Sequence, residues 1–264
     1  MEFDKVKLDI KDGVAVITLN DPDAMNAVSV PMLQSLRKVL DVIEDRENGV
    51  RCVVLTGQGR GFCTGANLKN RLPADPDDPD NKVATLDVYY HPMLKRMRDL
   101  KCPIIAAVNG PAAGAGMSLA ITCDFVYAAR SAFFLQAFIN IGLVPDAGST
   151  FVLPRLIGKA RAARMMMLGE RIPAEQALEW GMITEVLDDD VLMDEVMALA
   201  NRLAKGPTRA YGFIRKALAA SWGNTYDQQL DLEYHLQIRA SKTEDHQEGT
   251  EAFKEKRTAE FQGR

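Results

Sequence analysis

Apolar residues alternate with charged ones over residues 6–10, and a β-branched run, Val14–Leu19, follows Lys11-Asp12-Gly13. Two such runs around a glycine-bearing turn predict a β-hairpin. After the polar, turn-rich residues 20–26 the period changes. Met32, Leu33, Leu36, Val39, Leu40 and Ile43 recur at helical spacing and predict an amphipathic helix over about residues 31–47. Cys52-Val53-Val54-Leu55-Thr56 reads as a buried strand ending at Gly57, so the order strand, helix, strand predicts a parallel crossover unit. A second amphipathic helix carries Leu94, Met97 and Leu100, and residues 103–108 form another strand. The small residues of 114–122 suit a closely packed helix, 124–128 and 132–135 are short strands, and helices are expected at 159–167, 174–179 and 190–204.

Beyond Gly206-Pro207-Thr208 the pattern stays helical to Phe253, with a break at Trp222-Gly223-Asn224. The charge-rich tail over 241–264 reads as a solvated face or as a surface packed on a neighbouring subunit. Residues 73–80, with three prolines and four aspartates, read as a surface loop.

The chain has 264 residues, 47% of them hydrophobic, enough for one sizeable α/β domain or for a core domain with a small C-terminal helical one. A formal charge of -4 without a long basic block argues against a nucleic-acid partner, while a local patch can still hold a small anion. Cys52, Cys63, Cys102 and Cys123 lack paired zinc spacing, and with three histidines no metal centre is expected. Free thiols fit a reducing cytosol. The charged start Met1-Glu2-Phe3-Asp4-Lys5 carries no targeting pattern, and the apolar runs fall short of a membrane span, so a soluble cytoplasmic protein is expected.

Three segments are candidates for chemistry. Gly61-Phe62-Cys63-Thr64-Gly65-Ala66-Asn67 and Asn109-Gly110-Pro111-Ala112-Ala113-Gly114-Ala115-Gly116 each follow an apolar run, as strand-to-loop-to-helix junctions with free backbone N–H groups do. Ile141-Gly142-Leu143-Val144-Pro145-Asp146-Ala147-Gly148-Ser149-Thr150 supplies a carboxylate. Two junctions facing one carboxylate would make an oxyanion site opposed by a proton carrier. The plainer readings are that the glycines turn the chain or permit tight packing, and that Asp146 forms a turn or caps a helix. Leu143, Val144 and Phe138 are expected to give Asp146 an apolar surround, which would favour its protonated form.

His91, beside Pro92 at a helix start, is a capping residue or a pocket residue. His235 and His246 lie in charged helical surroundings. Ser118 and Ser149 have no histidine and acid at a recognisable spacing, and there is no phosphate-loop or dinucleotide fingerprint.

The segments Gly61-Phe62-Cys63-Thr64-Gly65-Ala66-Asn67-Leu68, 103–116 and 142–155, in this order and separation, resemble the crotonase, or enoyl-CoA hydratase/isomerase, superfamily over essentially the whole chain. The resemblance implies an α/β fold, the spiral of ββα units shared by ClpP-like and crotonase-like proteins. It divides the chain into a core over 1–205 and a C-terminal helical trimerisation region over 206–264. It also implies a homotrimer, or a hexamer built as a dimer of trimers. The implied substrate is an acyl-CoA thioester, with coenzyme A arriving as part of the substrate and no tightly bound cofactor. The backbone N–H groups of Ala66 and Ala115 correspond to the donors that polarise the thioester carbonyl, so the resemblance puts Gly65, Asn67, Leu68 and Gly114 beside the substrate. Lys69 and Arg71 are candidates for the phosphates of CoA. The segment over 71–90 is expected to border the acyl pocket.

Hydratases of this family use two glutamates to position water and shuttle its proton. At the matching positions stand Ser118 and Phe138, neither of which is an equivalent base. Dienoyl-CoA isomerases carry an aspartate at the position of Asp146, usually with a glutamate where Phe138 stands. Arg130-Ser131-Ala132, Gly142-Leu143-Val144-Pro145-Asp146, Leu153-Pro154-Arg155, Ala174-Glu175-Gln176-Ala177 and Gln229-Leu230-Asp231-Leu232-Glu233 are similar to the ring-epoxide isomerases of phenylacetate degradation. Those convert 1,2-epoxyphenylacetyl-CoA to oxepin-CoA and also shift enoyl-CoA double bonds. The resemblance therefore implies an isomerase in which Asp146 is the acid/base, in fatty-acid or phenylacetate metabolism, with Phe138 and His91 lining the acyl site. Three alternatives stay open. One is an enoyl-CoA hydratase-type lyase. Another is a 4-chlorobenzoyl-CoA dehalogenase-like hydrolase, in which an aspartate matching Asp146 and a histidine matching His91 act together. The third is a non-catalytic acyl-CoA-binding homologue.

Overall fold

The computed structural model describes residues 1–68 and 85–264, so Lys69, Arg71 and the proline- and aspartate-rich stretch over 73–80 lie outside the described residues. Strands β1 (Glu2–Phe3), β2 (Val6–Lys11) and β3 (Val14–Leu19) form an antiparallel meander. Helix α1 (Val30–Glu44) then crosses to β4 (Cys52–Gly57), which lies parallel to β3 as the crossover reading expects. The Ser29 hydroxyl accepts from the Met32 N–H at the start of α1, and the helix buries Met32, Leu33, Leu36, Val39, Leu40 and Ile43. It ends at Glu44, three residues before the expected 47. The Asp45 carboxylate accepts from the Glu47 amide at 3.0 Å and opens a separate 3-10 turn.

After a π-helical turn at Leu86–Tyr90 come α2 (His91–Asp99), β5 (Ile104–Val108), β6 (Ala112–Ala113), α3 (Ala115–Ile121), β7 (Phe125–Ala129) and β8 (Phe133–Leu135). The chain continues through α4 (Ser149–Leu168), β9 (Arg171–Pro173), α5 (Ala174–Glu179), β10 (Glu185–Leu187) and α6 (Leu192–Ala204). Among the described residues the strands make a seven-stranded sheet, in the order β1-β2-β3-β4-β5-β7-β10, and a three-stranded one, β6-β8-β9. From β3 to β10 every neighbour in the large sheet is parallel. Parallel strands need both faces covered, and β4 and β5 are buried at every position.

Helix α4 bends at Gly158 (φ 78°, ψ 158°), so the helix expected from residue 159 is its second half. The first half, with Pro154 inside it, breaks helical propensity and hid from pattern reading.

The C-terminal region is three helices: α7 (Thr208–Ser221), α8 (Tyr226–Ala240) and α9 (Glu244–Glu255). Thr225 and Gln228 form a capping box that starts α8, and the Thr243 hydroxyl accepts from the His246 N–H to start α9. That second cap divides what reads in sequence as one helical stretch. The tail folds back on the core: Arg51 donates to Gly206 O at 2.6 Å, to Thr208 Oγ1 at 2.9 Å and to Phe261 O at 3.0 Å. None of the described helices is long and apolar enough to cross a membrane.

Candidate active site

Both glycine-bearing segments leave the C-terminal ends of adjacent parallel strands, β4 and β5, where open parallel sheets bind their ligands. They lock together through their backbones. The Cys63 N–H donates to Pro111 O at 3.1 Å and the Ala113 N–H to Cys63 O at 2.9 Å. A Cβ added to Gly116 would lie 2.2 Å from Cys63 O, so only glycine allows α3 to sit this close to the first loop. Two asparagines that pattern reading passed over complete the scaffold. Buried Asn26 donates to Gln58 O and Gly61 O, and Asn109 donates to Gly59 O while accepting from the Gly57 N–H. Their only sequence signal is asparagine's habit of bonding to nearby backbone in turns.

This packing aligns two amides. The Gly65 carbonyl accepts from Val28, and the Asn67 amide donates to Val28 O, in an isolated parallel bridge centred on Ala66. The alternation of a bridge points the Ala66 N–H away from Val28, and among the described residues it donates to nothing. Ala115 is the first residue of α3, capped by Gly114 (φ 50°, ψ -126°), so its N–H has no intrahelical acceptor and finds none elsewhere among the described residues. The two loops meet here. Gly65 (φ 96°) holds a backbone conformation that strains any side chain, and a Cβ there would press to 3.0 Å from Ala113 O. Asn67 is half-buried, and Leu68 after it is exposed.

The Phe138 ring packs over Gly114, its edge 3.8 Å from where a Gly114 Cβ would stand, and is buried. Phe138 lies in a 3-10 turn, Ala137–Ile141, and its carbonyl accepts from the Leu143 N–H at 2.9 Å. Of the three apolar neighbours expected around Asp146, only Phe138 is buried. Leu143 is 41% exposed and Val144 77%. The left-handed Gly142 (φ 70°) turns this stretch outward, so within the chain those two side chains do not line the site.

Asp146 is half-buried at the turn before α4. The N-cap of α4 is Gly148, so Asp146 does not hold the cap position. Its carbonyl accepts from the Ser149 N–H at 3.1 Å, from Ser149 Oγ at 2.9 Å and from Ser118 Oγ at 3.2 Å. Ala147 follows with φ 51°, a left-handed backbone that costs a non-glycine residue about 1–2 kcal/mol.

His91 is not drawn into this cluster. It is exposed, with Nδ1 3.7 Å from Asp87 Oδ1 one helical turn back, and no hydrogen bond or ion pair among the described residues joins it to Asp146, Ala66 or Ala115. The described residues contain no group of three His, Cys, Asp or Glu side chains placed to hold a metal ion.

Residues 9–264 match the family model for enoyl-CoA hydratase/isomerase. The chain is 43% identical to the 1,2-epoxyphenylacetyl-CoA isomerase of Escherichia coli (strain K12), over 100% of both chains. It is 41% identical, again over 100% of both, to a Rhodobacter capsulatus protein named "Probable enoyl-CoA hydratase". The crystal structure of enoyl-CoA hydratase from Bacillus anthracis superposes with a TM-score of 0.90 at 31% identity, covering 99% of this chain and 100% of that one. The chain thus belongs to the enoyl-CoA hydratase/isomerase, or crotonase, family, enzymes whose hydratase and isomerase chemistry acts on CoA thioesters.

Proposed function

We propose that the protein isomerises an acyl-CoA thioester, with the Ala66 and Ala115 amides holding the thioester oxygen and Asp146 moving the proton. The observation that carries this reading is the pair of amides that donate to nothing among the described residues at the meeting of two loops, with an aspartate turn hydrogen-bonded to the same helix through Ser118. For a 3-enoyl thioester, the Asp146 carboxylate takes a proton from the carbon next to the thioester. The dienolate oxygen is stabilised by the two N–H donors, and Asp146 returns the proton two carbons further on, so the net change is a shifted double bond and no change in mass. A ring epoxide of phenylacetyl-CoA is the second substrate class, supported by the likeness to the Escherichia coli isomerase. In this reading Gly65, Asn67, Leu68, Gly114 and Phe138 border the thioester and acyl group, and Lys69 meets the phosphates of CoA. Coenzyme A enters as part of the substrate.

Syn hydration by two carboxylates is disfavoured, because Ser118 and Phe138 carry none. A dehalogenase role for His91 is disfavoured by its exposed pairing with Asp87. The exposed Ile141, Val144, Met167 and Leu168 support assembly into a trimer or a dimer of trimers, with residues 206–264 taking part.

The test is incubation with 3-enoyl, 2-enoyl and aromatic-epoxide CoA thioesters, followed by mass and ultraviolet absorbance beside Asp146→Asn. Mass-neutral conversion slowed about 100-fold or more in the variant is expected. A gain of water that the variant retains would sink the mechanism.

A further inference from the structure

We infer that Ser118 is a positioning residue for Asp146, an inference that rests on the isomerase reading above. Ser118 is fully buried on α3, one turn beyond Ala115. Its Oγ lies 3.2 Å from Gly114 O and 3.2 Å from Asp146 O. A serine hydroxyl has one proton, so the two carbonyls share a single donor.

Neither carbonyl depends on that donor. Gly114 O also accepts from the Ser118 N–H at 3.0 Å, and Asp146 O from the amide and hydroxyl of Ser149. What Ser118 alone contributes is the link. Among the described residues its hydroxyl makes the only hydrogen bond between the Asp146 turn and α3, the helix whose first amide is the proposed donor Ala115. The turn it holds contains the buried, left-handed Ala147, a conformation that persists only where surrounding contacts enforce it. The hydroxyl therefore sets the distance between proton carrier and oxyanion donor through its two backbone acceptors. Because both acceptors keep other partners, removing it disturbs geometry far more than folding.

The experiment compares Ser118→Ala, Ser118→Cys, Asp146→Asn and the unaltered protein on a trans-3-enoyl-CoA thioester, reading kcat, KM and Tm. In Ser118→Ala kcat falls about 10- to 100-fold, KM stays within about twofold and Tm within about 4 °C. Ser118→Cys, which fills the space with a weak donor, falls between the two. A Ser118→Ala enzyme with unchanged kcat, or one whose loss of rate follows only a fall in Tm, overturns the inference while leaving Asp146 in place. Should Ser118→Ala fail to fold, Ser118→Cys decides by the same criterion, and an unaltered kcat overturns it. If Asp146→Asn keeps the full rate, or the unaltered protein isomerises nothing, the isomerase reading falls and the positioning role with it.

Discussion

Arg215 on α7 grips Asp124 at the start of β7, with Nε 2.8 and 2.7 Å from the two carboxylate oxygens, and the pair joins Arg51 as a polar anchor between the C-terminal helices and the sheet. The same guanidinium donates to Met97 O and Leu100 O, and Asp124 in turn accepts from the Ile104 N–H at 2.7 Å. All of this is legible only in three dimensions, since 91 residues separate the partners.

Arg215→Ala strands a carboxylate and two carbonyls in a site where the arginine side chain is only 8% exposed. The expected loss is about 3–5 kcal/mol, read as a lower urea midpoint. Arg215→Lys rescues little of it, because an ammonium cannot span three acceptors as the planar fork does. An unchanged midpoint in the alanine variant would contradict the anchor.

Gly116→Ala drives a methyl to 2.2 Å from Cys63 O and 2.6 Å from its sulfur, and backbone cannot yield cheaply. Destabilisation of about 1–3 kcal/mol or more follows, with loss of the loop contact beneath Ala66 and Ala115. Gly61→Ala is the control. Its methyl meets the mobile end of the Met25 side chain at 2.8 Å, so its Tm should fall less. Equal melting points for the two variants would refute the close-approach argument.

All four cysteines are free and buried. Burial pushes the Cys52 and Cys63 thiols up to about 12 and Cys102 up to about 11, and raises Cys123 as well. Thiolates are the reactive form, so at pH 8 a thiol reagent should label none of the four in the folded chain and all four after denaturation. Mass spectrometry of the alkylated protein counts them, and rapid native labelling would contradict the packing around Cys63.

Arg257 donates to both oxygens of Glu248, which also accepts from the Glu260 N–H, and these bonds lower the Glu248 carboxyl from 4.5 to about 2. A carboxyl depressed on folding stabilises the fold above its unfolded value, and the contribution disappears as pH falls from 4.5 through about 2. In a carbon-detected NMR titration Glu248 should titrate near 2, and in Arg257→Gln markedly higher, with the Glu260 N–H still holding it below its ordinary value. Identical titrations would show that the clasp does not form in solution.

The hairpin, α1 and β4 can be read from sequence because each carries its own signal: alternation, a helical stripe, a buried run, a capping Ser29. Three separated segments likewise carry Ala66, Ala115 and Asp146 as candidates in the sequence alone. Strands β6, β9 and β10, at two or three residues each, carry no such signal, and exist because a partner strand supplies their hydrogen bonds.

What the sequence determined by itself was local: the periods, the caps, the glycines at the strand ends and the absence of carboxylates at residues 118 and 138. Tertiary structure decided which of these meet. It brought Gly116 against Cys63, turned Leu143 and Val144 outward, left His91 on the surface with Asp87, and set one serine hydroxyl between Gly114 O and Asp146 O. The reason is range. Periodicity and capping act within a few residues of chain, whereas each of these outcomes depends on backbone from a different element arriving within bonding distance or failing to do so.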